Sequence, residues 1–359
     1  LNNYHDGMKI ECDVCIIGAG AGGSAAASTL SAAGLKVAIV EYGSFLMPKD
    51  FTQREEQMFS KLFYQSGGRK TEDFSIRVLH GHGVGGSTLH NINLCKRLPD
   101  ELYTDWKLNK EVFNPLFNKT ERDLSVAPID TESINRNNEL FKLGVDKLGL
   151  AGGILSHNRT GCLGSGFCEL GCKYNAKENA LKIYVPKLIK NDGAIYTNLK
   201  AEKFIIKDKT VNKLICKISS PNYEVKGEVQ ILANKFISSA GAIETPLLLK
   251  RSNIVDPFDL VGSRLHLHPG VVASGVFKEK VESWDGIPQS YECTEFLSFH
   301  NPQKRIWLIT GSAHPIGTAS LLPGMGKEHQ SLMKKYPYLC TITPMLHDYS
   351  SGSVSEKIG

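Results

Sequence analysis

Six residues, Gly18-Ala19-Gly20-Ala21-Gly22-Gly23, restrict this chain to very few folds. They fit G-x-G-x-x-G directly after residues 12–17, a short apolar run rich in β-branched side chains, and directly before the small residues 24–33. That order reads as strand, tight turn and helix. Gly34 then supplies a helix stop, and residues 36–41 form a second apolar run, so the opening forty or so residues spell a βαβ unit. In such a unit Gly18 permits the turn, Gly20 lets backbone approach a pyrophosphate, and Gly23 allows the helix to pack closely. The helix start faces the phosphate charge. Glu41, 18 residues after Gly23 and at the end of the second run, is placed to accept from a ribose hydroxyl. The pattern implies a bound dinucleotide but does not choose between a flavin and a nicotinamide.

The 359 residues are enough for about two domains. The 42 basic and 37 acidic residues are spread along the chain, with a net charge of +5, so no nucleic-acid surface is indicated. No stretch reaches the roughly 18 consecutive apolar residues of a membrane helix, and no membrane span is expected. The nine cysteines are an odd number and scattered, unlike a disulfide framework. This favours a reducing, cytoplasmic setting over a periplasmic one. Residues 50–77 are polar without a clear period, residues 79–88 form a glycine-dense loop, and residues 102–150 have helical spacing. A second glycine-rich loop at 161–172 precedes an expected helix over 176–190 and a strand at 194–196. Residues 200–219 and 224–237 alternate like antiparallel strands, with a turn at Pro221-Asn222-Tyr223. A helix follows residues 238–242 and ends near Arg251, and beyond Gly262 short alternating runs suit a separate antiparallel sheet.

Gly81-His82-Gly83-Val84-Gly85-Gly86-Ser87-Thr88-Leu89-His90-Asn91 resembles the G-x-x-x-G-G-S-S-x-x-N loop of glucose-methanol-choline oxidoreductases, with Arg97 and Trp106 following at about the family's distances. Residues 239–249, which include Ala240 and Gly241, look like that family's second signature, and Leu265-His266-Leu267-His268-Pro269 is similar to its next landmark. The resemblance implies FAD as cofactor, held by Gly18, Gly20, Gly23, Glu41, Gly81, Gly85, Gly86, Ser87, His90, Asn91, Ala240 and Gly241. It implies an α/β fold: a Rossmann-like FAD-binding domain over residues 1–254, with inserted loops and helices, and part of an antiparallel-sheet substrate domain over 255–359. The implied reaction is oxidation of the CH–OH group of an alcohol or sugar by hydride transfer to flavin, with oxygen, a quinone or a cytochrome as electron acceptor.

In that family the catalytic His lies in a further C-terminal segment, which the sequence is expected to stop short of. No catalytic residue is assigned, and His314 and His347 read as core or surface histidines. A non-catalytic flavin-binding or scaffold protein is the rival reading. Within the family, the cysteine loop and Tyr174-Asn175-Ala176-Lys177 resemble long-chain alcohol oxidases and related bacterial dehydrogenases. Cys162, Cys168 and Cys172 are similar to a three-cysteine iron-sulfur motif of certain flavin sugar dehydrogenases, and the alternative is plain thiols. His90 stands where some family members join a His covalently to the flavin, while other members bind FAD without a bond.

Overall fold

The computed structural model describes residues 4–219, 225–349 and 352–356. Strand β1 (Met8–Ile17), helix α1 (Ala21–Ala32) and strand β2 (Val37–Val40) are the expected βαβ unit. The two strands pair in parallel, with Val14 opposite Val37 and Ile17 opposite Val40. The last four residues of β1 and all of β2 are buried because both faces of the sheet are covered. Ile16 and Ile39 are each 0% exposed, and burial of such a side chain contributes about 1.5–3 kcal/mol. Helix α1 buries Gly23, Ser24, Ala27, Ser28 and Ser31, a stripe at helical spacing whose small side chains let the helix lie close to the sheet. Gly34 ends the turn after it at φ +85°, a conformation natural to glycine.

Four further strands complete the main sheet: β3 (Ala194–Tyr196), β4 (Leu199–Lys207), β5 (Thr210–Ser219) and β6 (Val225–Ser238). The order is β3-β2-β1-β6-β5-β4. β6 runs parallel to β1 from Met8 opposite Val229 to Ile17 opposite Ser238, whereas β5 pairs antiparallel with both β6 and β4. The single run expected over 200–219 is therefore two strands, split where Asp208 and Lys209 take φ +50° and +59°. The turn expected at Pro221-Asn222-Tyr223 lies outside the described residues. Helix α2 (Gly241–Arg251) follows β6 and packs on β4.

A second, five-stranded sheet is built from Ala273–Val276, Leu339–Leu346, Ile306–Thr310 and Tyr291–Cys293, and it takes its remaining edge from Gly152–Ile154. Residues well before 255 thus contribute to it, and buried Asn138 ties the layers by accepting the N–H groups of Ser290 and Tyr291 at 2.8 and 3.0 Å. Two local expectations are corrected. A helix at Glu55–Leu62 occupies the stretch read as aperiodic, burying Met58 and Leu62. The helix expected from residue 176 begins at Ala180, because Asn179 caps it by accepting the Lys182 N–H at 3.0 Å. Residues before the cap instead pair with a neighbouring chain segment, Lys177 opposite Arg159. Among the described residues no helix is long and apolar enough to cross a membrane.

Candidate functional site

The carboxyl ends of β1 and β6 lie side by side, with Ser239 donating its backbone N–H to Ile17 O at 2.8 Å. Ligands of open α/β sheets bind at this end of the strands. Gly18 leaves β1 at φ +98°, where a Cβ would stand 2.5 Å from Ser239 O. A Cβ on Gly23 would collide with the carbonyl oxygen of Gly18, so that glycine serves helix packing. Gly20 differs: a Cβ there would meet nothing within 4 Å. The protein's own packing does not demand glycine at this position, and the open space is available to a ligand. Helix α1 starts with neither a side-chain cap nor an acidic residue in its first turn, which leaves its amides facing that space.

The second glycine loop is bonded to the first. Gly85 donates its N–H to Ala19 O at 2.8 Å, and a Cβ on Gly86 would come within 2.9 Å of Gly20 Cα. Gly83, Gly85 and Gly86 take φ +100°, +102° and +51°, a backbone path that side chains would strain. Glu41 joins the loops from beneath. Its Oε2 accepts the Ala19 N–H at 2.9 Å, and its Oε1 accepts the N–H groups of Gly43 at 2.8 Å and Gly83 at 3.3 Å. The carboxylate expected to meet a ribose therefore also organises both loops. Two oxygens offer about four acceptor sites, so capacity for a ligand hydroxyl remains.

Between these loops, α2 and β4 lies a cavity of about 500 Å³. Of the expected residues, Gly18, Gly20, Glu41, Gly81, Gly86, Ser87, Ala240 and Gly241 line it; Gly23, Gly85, His90 and Asn91 are not on its wall. Leu265, His266 and Leu267 also reach it. Sequence reasoning missed Tyr42, Tyr64, His80, His82, Lys200, Ala201, Glu244 and Arg251. Several of these belong to one arrangement. Arg69 donates to Glu244 Oε1 at 2.5 Å, lies 3.2 Å from His80 Nδ1, and stacks its guanidinium 4.2 Å from the centre of the Tyr64 ring. Burial, then the nearby Arg69 charge, holds His80 below the usual imidazole range. The sequence signal was the pair of histidines inside a glycine loop.

His90 packs on Phe63, ring centres 4.2 Å apart, and its buried Nε2 has no hydrogen-bond partner among the described residues. Burial, with the Lys177 charge second, lowers its pKa to about 3. His314 is a core residue stacked on Phe167, and His347 is exposed; neither lines the cavity. The iron-sulfur expectation is not supported. Among the described residues no three His, Cys, Asp or Glu side chains form a metal-holding group. All nine cysteines are free thiols. Cys162 Sγ accepts the Gly164 N–H and Cys172 Sγ the Ala176 N–H, while burial pushes the Cys168 thiol up to about 11.

The residues fit FAD: two mutually bonded glycine loops, an uncapped helix start, open space over Gly20 and a cavity long enough to touch both loops and α2. The comparisons agree with that fit. The chain is 28% identical over 373 residues to the long-chain-alcohol oxidase FAO1 of Arabidopsis thaliana, covering 98% of this chain and 49% of the relative. It is 27% identical over 380 residues to FAO3 of the same plant, covering 99% of this chain and 50% of the relative. It thus spans about half the length of these curated relatives. Two solved structures share the fold. Pyridoxine 4-oxidase from Mesorbium loti matches at TM-score 0.65 and 15% identity over 95% of this chain and 72% of its own. Formate oxidase of Aspergillus oryzae matches at 0.68 and 13% over 99% and 76%. The GMC oxidoreductase family profile matches residues 59–270, from the helix Glu55–Leu62 to the histidines beyond α2, and the chain belongs to that family.

Proposed function

We propose that this chain holds FAD in the cavity between the two glycine loops and forms the cofactor-bearing part of an enzyme that oxidises the CH–OH group of an alcohol. The observation that carries the reading is the contact of the loops around an open Gly20, since a nicotinamide site needs only the first loop. The first-turn amides of α1 would take the pyrophosphate, Glu41 a ribose hydroxyl, and Gly86 and Ser87 would lie along the flavin. Flavin, when bound, supplies the hydride acceptor. His80, held neutral by burial at the cavity wall, offers an imidazole that can exchange a proton without first losing one.

The resemblance to long-chain-alcohol oxidases supports a long-chain primary alcohol as substrate and oxygen as acceptor. The test is anaerobic mixing of the FAD-loaded whole enzyme that carries this chain with primary alcohols of graded chain length and with sugars. Bleaching of the flavin by the longer alcohols, reversed on admitting oxygen, is the expected result. Bleaching by sugars alone would overturn the substrate assignment, and bleaching by nothing would favour a non-catalytic flavin binder.

A further inference from the structure

Lys177 is 1% exposed, a charged side chain wholly inside the protein. Taking an ammonium out of water is costly, and a methionine of similar length would fill the same space without that cost. The ammonium must therefore be explained by what it bonds. Its Nζ donates to Leu89 O at 3.2 Å, to Asn91 O, and to Cys168 O at 2.8 Å. Leu89 and Asn91 flank His90 at the end of the second glycine loop; Cys168 opens the short helical turn Cys168–Leu170 in the cysteine loop. The helix Glu55–Leu62 packs on both loops, and Leu89 and Leu170 share its apolar cluster; the ammonium adds a directional polar tie to that apolar contact.

The backbone of Lys177 is itself well anchored. Thr160 donates to Ala176 O at 2.8 Å and Glu178 to Asn158 O at 3.0 Å, on either side of it. Three residues on, Ala180 donates to Thr88 Oγ1 at 3.1 Å, and that hydroxyl donates to Gly85 O at 2.6 Å. The segment thus grips the cofactor loop from behind at two points, and the cation extends the same grip to the cysteine loop.

We propose that Lys177 is a positioning residue that couples the cysteine loop to the cofactor cavity, setting the loop through residues 89 and 91 and Cys168 through its carbonyl. The inference rests on FAD occupying the cavity. Coupling between two sites is reciprocal, so whatever holds the cofactor loop also holds Cys168.

The experiment first measures FAD binding to the apo protein by flavin fluorescence, and then alkylation of Cys168 by iodoacetamide with and without FAD, read by peptide mass spectrometry. Cys340, in the second sheet, is the internal reference. FAD should slow alkylation of Cys168 about tenfold and leave Cys340 unchanged. Lys177→Met should bind FAD about tenfold more weakly and lose the protection of Cys168. FAD that binds to the unaltered protein without slowing Cys168 overturns the coupling, and protection that survives in Lys177→Met overturns the role of Lys177 in it; both results leave the cofactor assignment standing. Failure of the unaltered protein to bind FAD overturns both. The unaltered protein alone decides whether the coupling exists, even if the methionine variant does not fold.

Discussion

Gly85 donates its backbone N–H to the carbonyl of Ala19 at 2.8 Å, and this bond makes two loops 66 residues apart into one cofactor cradle. The amide on the other side of the same peptide segment, that of Ala19, is held at 2.9 Å by Glu41, which also takes Gly43 and Gly83. Glu41→Ala should therefore do more than weaken FAD. With three backbone donors losing a charged acceptor, the apo protein should lose about 3 kcal/mol of stability. Urea unfolding of the apo form measures it, and an unchanged midpoint would show that the carboxylate serves only a ligand.

Two glycines of the first motif should separate folding from binding. Gly23→Ala places a Cβ against the Gly18 carbonyl and should cost about 1–3 kcal/mol of stability. Gly20→Val fills the open space over the cavity, so the apo protein should unfold near the parent's midpoint while FAD affinity falls at least about tenfold. Equal loss of stability in both variants would contradict the assignment of Gly20 to the ligand.

Acid should destabilise the fold through two histidines. Burial lowers His90 to about 3 and His157 to about 4, while in the unfolded chain each takes up a proton near its ordinary value of about 6.5. The unfolded state then binds more protons, so stability falls as pH drops through about 6.5 and keeps falling towards those lowered values. Between about pH 7 and about pH 5 the loss should be roughly 2 kcal/mol per histidine. Unfolding of the apo protein across that range, compared with His90→Phe, checks the sign: the variant should show the shallower dependence.

His90 should not be joined to the flavin, because its ring lies on Phe63 and off the cavity wall. Acid precipitation of the FAD-loaded protein should leave the flavin in the supernatant. Coloured pellet, lost in His90→Phe, would show a covalent bond and a rearranged loop.

What the sequence disclosed was local chemistry. The turn at Gly18, the packing of Gly23 and the helix stop at Gly34 each follow from a few neighbouring residues, and each is found where expected. The helix at Glu55–Leu62 was legible too, in Met58 and Leu62 at four-residue spacing with two acids opening it, but polar flanks hid it. Contacts across long stretches were not legible. Nothing near Arg69 announces Glu244, 175 residues away, and nothing near Lys177 announces the carbonyls of Leu89 and Asn91. Backbone acceptors leave no mark in a sequence, so Lys177 read only as part of an expected helix and of the segment that resembles long-chain alcohol oxidases, with no partner of its own. The cysteine spacing left cluster and plain thiols open for a related reason: it fixes how far apart the thiols sit along the chain, not whether their sulfurs converge as ligands.

The central claim is that FAD occupies the cavity formed by the two glycine loops, and the most direct measurement is titration of the apo protein with FAD and, separately, with NADH, for the parent and Gly20→Val. Saturable binding of FAD with one flavin per chain, no comparable binding of NADH, and a sharp loss of FAD affinity in Gly20→Val are the results the structure predicts. Binding of NADH in place of FAD, or FAD affinity untouched by the valine, would contradict it.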